Sequence, residues 1–280
     1  MRFILNYAVA VVCFLMYNGI MTTTGQTKIN QLLSSLPAGV VLQASWLSEQ
    51  GYNSDLQKAY RRSHWLESIG TGAMIRNGDT VSYEGAIYAL QQQSNMPVHP
   101  GGRTALSLLG KAHYLSLSEK KVTVFGEDNA RLPTWFLNHD WGVGVDYYQS
   151  SFLPSGIGMS EVEIKTYSIK VSGAARALME CLYLAPEKMA LMECYELMEG
   201  LNNLKPAQVQ QLLEKCQSVK VKRLFLYLAE KANHNWTKFL NHEKINVGSG
   251  KRSIVKNGVY IDRYQITVPK ELAEHGERSV

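Results

Sequence analysis

The chain has 280 residues, room for two domains of ordinary size, and 45% hydrophobic with 19% charged residues is a globular composition. It excludes a low-complexity or charge-dominated disordered chain, and no internal repeat points to a solenoid. The net charge of +5 is mild, so the distribution of charge matters more than its size.

Residues 1–20 hold Arg2 and the apolar block Ala8–Tyr17, which is too short to span a bilayer comfortably. No small-x-small cleavage site follows, and Met21 offers a second start. The segment reads as a non-native leader, with a secretory signal as the alternative. Ile29, Leu32, Leu33 and Leu36 then have helical spacing, and Pro37-Ala38-Gly39 ends that helix. A second helix is predicted over Gln43–Gln50, with Trp46 and Leu47 inward and Gly51 making the turn. The third starts at Ser54, read as its N-cap, with Asp55 at the positive end of the helix dipole. Its spacing places Leu56, Ala59, Tyr60 and Ser63 on one side and Gln57, Lys58, Arg61 and Arg62 on the other.

A β-ribbon is predicted next: Trp65–Ile69, a turn at Gly70-Thr71-Gly72, Ala73–Arg76, a second turn at Asn77-Gly78-Asp79, and Thr80–Ser82. Helix Tyr83–Gln93, with Ala86, Ile87 and Leu90 inward, closes the first domain, residues 21–94. Residues 95–102, with two prolines and a glycine pair, read as a linker. Three helices followed by a glycine-rich ribbon give the order of a winged helix-turn-helix, a fold that sets one helix in the major groove. On that reading Gln57 is a base reader, Lys58, Arg61 and Arg62 hold phosphates or guanines, and Arg76 reaches the backbone or minor groove. The plain alternative is an amphipathic helix with a wet basic face.

Residues 103–280 alternate. Strands are predicted at Tyr114–Leu117, Lys121–Phe125, Val143–Tyr148 and Val162–Ile169, and again over Ile254–Val268 around the turn Asn257-Gly258. Helices are predicted at Gly173–Tyr183, Glu187–Leu201, Ala207–Cys216 and Val219–Ala232. The fold class expected is α+β, a winged N-terminal domain followed by a larger mixed domain.

Residues 21–100 carry balanced charge, whereas 205–256 hold eleven Lys or Arg against three Glu, an excess of +8. That second region could engage a polyanion, or it is a solvated helix face. Cys13, Cys181, Cys194 and Cys216 form no C-x-x-C pair, and no His completes a zinc site. The last three read as buried thiols of a reducing compartment. Gly248-Ser249-Gly250-Lys251-Arg252 is not a Walker A loop, because Ile245 stands where the first glycine belongs and Arg252 where Ser or Thr belongs. Lys251 and Arg252 remain candidates for a phosphate or partner contact. His139-Asp140 reads as a turn. Met179, Met189, Met192 and Met198 read as core packing, with a plastic binding face as the alternative. No catalytic constellation, metal site or cofactor motif is visible, so an enzyme is not expected.

Several segments, in order, resemble the AbiEi-type antitoxins of bacterial type IV toxin–antitoxin systems, which act in abortive phage infection. They are Gly51-Tyr52, Trp65-Leu66-Glu67, Gly70-Thr71-Gly72-Ala73 and Gly85-Ala86-Ile87-Tyr88-Ala89-Leu90. Pro97–Leu106 and Gly110–Tyr114 follow, then Gly248–Arg252 and Tyr264–Pro269. The leader departs from the usual start of that family. The resemblance implies a winged-helix domain that represses its own operon at inverted repeats. It also implies a C-terminal domain that counters a co-encoded nucleotidyltransferase-like toxin without needing a stable complex. Two copies on one face of the duplex place half-sites about 34 Å apart. The protein is expected in the cytoplasm, with no membrane partner. The competing expectation is an RNA- or protein-binding module, or an enzyme, that docks through the winged domain and uses residues 205–256 for a polyanionic partner.

Overall fold

The computed structural model describes residues 27–111 and 121–275. The leader, the Met21 start, Cys13 and the expected strand Tyr114–Leu117 lie outside the described residues. The chain divides after Pro37 into two compact units. In the first, α1 (Lys28–Ser35) is capped by the Thr27 side chain and buries Ile29 and Leu32, as their spacing predicts.

In the second unit, β1 (Leu42–Gln43) runs straight into α2 (Ala44–Glu49), and a tight turn leads to α3 (Ser54–Arg62). β2 (Leu66–Gly70) and β3 (Ala73–Arg76) follow, giving an antiparallel sheet in the order β1-β3-β2. The ribbon reverses at Thr71-Gly72 as expected, but the third strand expected at Thr80–Ser82 does not form. Asp79 instead accepts the Gly39 amide on Oδ2 at 2.9 Å, which takes the chain away from the ribbon. α4 (Tyr83–Gln92) buries Ala86, Ile87 and Leu90.

The segment read as a linker is ordered secondary structure. Val98–Pro100 forms β4, pairing antiparallel with β5 (Lys121–Gly126), and α5 (Gly102–Leu108) begins at once. Val98, His99 and Pro100 are all buried, so the two prolines mark strand ends rather than free chain. β6 (Gly144–Gln149) runs parallel to β5, and the short α6 (Thr134–Asn138) lies between them in sequence.

The single strand expected at Val162–Ile169 is a hairpin. β7 (Met159–Ile164) and β8 (Tyr167–Ser172) reverse at Lys165-Thr166, where Lys165 takes a φ of 54°. The turn has neither Gly nor Asn, which is why it carries no sequence signal. Along β8, Tyr167, Ile169 and Val171 point inward while Ser168 and Lys170 point out.

Four helices follow close to their predicted places: α7 (Ala174–Leu184), α8 (Leu191–Glu199), α9 (Pro206–Lys215) and α10 (Val219–Lys231). α7 is buried from Ala175 through Leu182 and α10 from Val221 through Ala229. Helices buried on every side form the centre of a core. Met179, Met189 and Met198 are buried in the core, and Met192 is half-buried. Cys181, Cys194 and Cys216 are buried free thiols. Burial pushes the Cys194 pKa up to about 12, so it is inert as a nucleophile. The last expected strand is two short ones, and a third short strand just precedes it. β10 (Val259–Ile261) pairs antiparallel with β11 (Ile266–Val268), and β9 (Arg252–Ser253) pairs parallel with β11. The reversal between paired strands lies at Asp262–Gln265 rather than Asn257-Gly258, and α11 (Lys270–Glu274) ends the described chain.

One buried polar cluster pins the β4–α5 junction to α7. The Glu180 carboxylate, 0% exposed, accepts from His99 Nε2 (3.1 Å), Gly102 N (2.9 Å), Ser172 Oγ (2.7 Å) and Arg176 Nε (2.9 Å). A carboxylate only accepts, so His99 carries its proton on Nε2. Burial alone would raise the Glu180 pKa, but His99, Arg176 and Ser172 outweigh it and hold the carboxyl below its usual range. Arg176 also donates Nη1 to the carbonyls of Pro154 (2.7 Å) and Ile157 (2.8 Å). Gly101 permits this closeness, for a Cβ there would lie 2.4 Å from Glu180 Oε2.

Candidate nucleic-acid interface

α3 is nine residues long and opens on an N-cap, but the cap is Asn53, not Ser54. Asn53 Oδ1 accepts the Leu56 amide at 3.0 Å, and Ser54 is the exposed first residue of the helix. The reason is register: the last extended residue before the helix is Asn53, with ψ of 170°. Asp55 lies in the first turn and Arg61 and Arg62 in the last, all three complementing the helix dipole.

Gln57, expected to face bases, is turned inward. It is 4% exposed, and its Nε2 donates to the Tyr52 carbonyl (2.7 Å) and the Ala44 carbonyl (3.0 Å), with Ser48 Oγ 3.1 Å away. These acceptors span α2 and the turn, so one amide locks α3 against α2. The inward face is therefore Gln57 and Tyr60, while Ala59 and Ser63, expected inside, are exposed. Glutamine carries no apolar signal, so hydrophobic spacing does not mark this inward face, yet its amide suits a site lined by the Ala44 and Tyr52 carbonyls.

Lys58, Arg61 and Arg62 are exposed and share one side of α3, at the spacing of one helical turn. Lys58 lies 3.4 Å from Asp55 in a pair open to solvent, which constrains it little. Arg61 Nη1 lies 3.7 Å from the Met74 sulfur on β3, a weak contact that leaves its other donors facing out. Arg76 is half-buried at the end of β3, opposite Leu66 and just past the end of α3. The structure thus brings Lys58, Arg61 and Arg62 together, sets Arg76 on the ribbon opposite Leu66, and turns Gln57 inward. What remains is a row of charge-dense donors on a braced helix beside a ribbon, an arrangement suited to phosphate oxygens and guanine edges.

The basic region 205–256 is different. Lys222 and Arg223 are buried, and Lys220 and Lys231 are half-buried. Lys220 Nζ donates to the carbonyls of Tyr183 (2.8 Å) and Ala185 (2.6 Å), and Lys231 Nζ to that of Ala273 (3.0 Å). These four of the eleven cations are turned inward, while Lys205, Lys215, Lys238, Lys244 and Lys256 are exposed. Lys251 and Arg252 are exposed. Among the described residues no cluster of His, Cys, Asp and Glu suits a metal, and no helix is long and apolar enough to cross a membrane. The Glu180 cluster has a sequence signal: Arg176 and Glu180, four apart, interrupt an otherwise apolar helix, and charges there need partners.

Two family models match. One described as an AbiEi antitoxin N-terminal domain of a transcriptional regulator matches residues 25–117. One described as a transcriptional regulator, AbiEi antitoxin, of a type IV toxin–antitoxin system matches residues 119–269. No curated protein matches the chain. Among solved structures, the RV2827C protein from Mycobacterium tuberculosis is similar at a TM-score of 0.52 and 12% identity, covering 86% of this chain and 89% of that one. At that identity the likeness concerns the fold alone.

Proposed function

This chain belongs to the AbiEi antitoxins, transcriptional regulators of type IV toxin–antitoxin systems, and from that premise we propose that it represses its own operon and counters a co-encoded nucleotidyltransferase-like toxin. In this reading residues 21–94 form a winged helix-turn-helix that reads inverted repeats, with two copies on one face of the duplex. Residues 103–280 act against the toxin, without a stable complex being required, and the protein works in the cytoplasm.

The observation that carries the DNA-binding half is the cationic side of α3. Lys58, Arg61 and Arg62 stand in solvent on a helix that Gln57 fixes in place. Arg61 and Arg62 supply bidentate donors, Lys58 a point charge, and Arg76 a flanking contact from the ribbon. Base discrimination falls to the arginines, because Gln57 is occupied. The test is a mobility-shift titration on the upstream DNA of the operon. Arg61→Ala with Arg62→Ala is expected to abolish the shift while the thermal midpoint stays within a few degrees of the wild type. An unchanged shift at matched salt removes α3 from the interface.

A further inference from the structure

The loop before β9 has a construction that the DNA reading does not use. Arg223, 2% exposed in the middle of α10, donates Nε to the Val247 carbonyl (2.8 Å) and Nη1 to the carbonyls of Gly250 (2.7 Å) and Gln265 (3.2 Å). The carbonyl side of the loop is thereby drawn inward onto a guanidinium. Gly248 and Gly250 take left-handed φ values of 66° and 77°, and Ser249 between them does not. Such alternation turns successive amides toward one side and makes an anion-binding concavity. The amides of Ser249, Gly250 and Lys251 donate no hydrogen bond to any described residue. All three residues are exposed.

Charge is placed to match. Lys251 Nζ lies 4.9 Å from the Tyr260 ring centroid, which holds the ammonium beside the loop. Arg252 follows on β9, paired with Ile266. Among the described residues no carboxylate lies within ion-pair distance of Lys251 or Arg252. Burial and then the nearby Arg252 both lower the Arg223 pKa, so the two guanidinium groups feel each other, and an anion beside them relieves that repulsion.

We propose that Gly248–Arg252 is an oxyanion site that takes a phosphate group, with the amides of Ser249, Gly250 and Lys251 as donors and Lys251 and Arg252 as countercharge. It needs no helix N-terminus and no Walker pattern. Its ligand is a phosphate, free or in a nucleic-acid backbone.

The experiment titrates the isotope-labelled full chain with inorganic phosphate and, separately, with a short oligouridylate, following amide resonances. Those of Ser249, Gly250 and Lys251 are expected to move saturably. A response to phosphate that the oligomer does not improve identifies a small phosphate as occupant; tighter, salt-sensitive binding of the oligomer identifies a polynucleotide backbone, and either supports the site. Lys251→Ala with Arg252→Ala should weaken binding. Gly250→Ala is the sharper variant, since the added methyl meets nothing within 4 Å and the change acts through the left-handed backbone alone. It should weaken binding roughly tenfold, and Gly250→Asn, which tolerates that conformation, should restore most of it. Resonances that stay still in both titrations, or Gly250→Ala binding as the wild type does, overturn the proposal.

Discussion

α3 and α10 are both basic helices, and they treat their cations in opposite ways. α3 is short and polar, buries an amide and a tyrosine, and leaves Lys58, Arg61 and Arg62 in water. α10 is buried from Val221 through Ala229, and the core that surrounds it takes in Lys222 and Arg223 as well as the leucines. The inward cations have a common role. Lys220 meets carbonyls at the end of α7, Lys231 meets one in the last turn of α11, and Arg223 meets those of the irregular segment before β9. Helix ends and loops leave carbonyls unpaired, and a long cationic side chain satisfies them at favourable sign. A count of Lys and Arg therefore separates nothing; the location of unpaired carbonyls decides which cations are staples and which are free to meet a ligand.

That contrast predicts that inward charges matter for stability and outward ones for binding. The largest effect belongs to the carboxylate on α7. Glu180→Gln strands Arg176 in the interior and should cost roughly 3–5 kcal/mol in urea unfolding. The same group sets an acid limit. Its folded pKa lies below the model-compound 4.5, so its stabilisation is fully present above that value and is lost as pH falls through the folded pKa. The wild type should lose stability below about pH 4.5 and Glu180→Gln should lose less over that range, read as urea midpoints at successive pH. Equal acid sensitivity of the two proteins would exclude this carboxylate as the source.

Arg223→Met should follow at about 3 kcal/mol, because the carbonyls of Val247, Gly250 and Gln265 lose their donor at once. Gln57→Ala sharpens the comparison from the other side: it should cost roughly 1–3 kcal/mol and weaken all DNA sequences alike. A changed preference among base-substituted operators would return Gln57 to base reading. Asn53→Ala should cost about 1 kcal/mol as a lost cap, with Ser54→Ala well below it. The smallest effect is Lys58→Ala, under about 0.5 kcal/mol in stability despite its pairing with Asp55.

How much of this was legible depends on what each residue does to the pattern. The helices from α7 to α10 were readable because their apolar spacing is dense and long. β7 and β8 merged into one expected strand because Lys165-Thr166 turns without Gly, Asn or Pro. Pro97 and Pro100 hid β4, since a three-residue strand between prolines resembles a linker until its partner β5 is known. On α3, the exposed cations were legible from charge and order. Gln57 was not, because whether a polar side chain reads DNA or braces a turn depends on which carbonyls surround it, and those come from α2.

The most direct measurement is the salt dependence of operator affinity for wild type and for the Arg61→Ala, Arg62→Ala double variant. If both guanidiniums hold phosphates, the slope of log K against log salt becomes shallower by about 1.8 in the variant while its urea midpoint barely moves. Parallel slopes with equal affinity would mean that the exposed side of α3 does not meet the duplex.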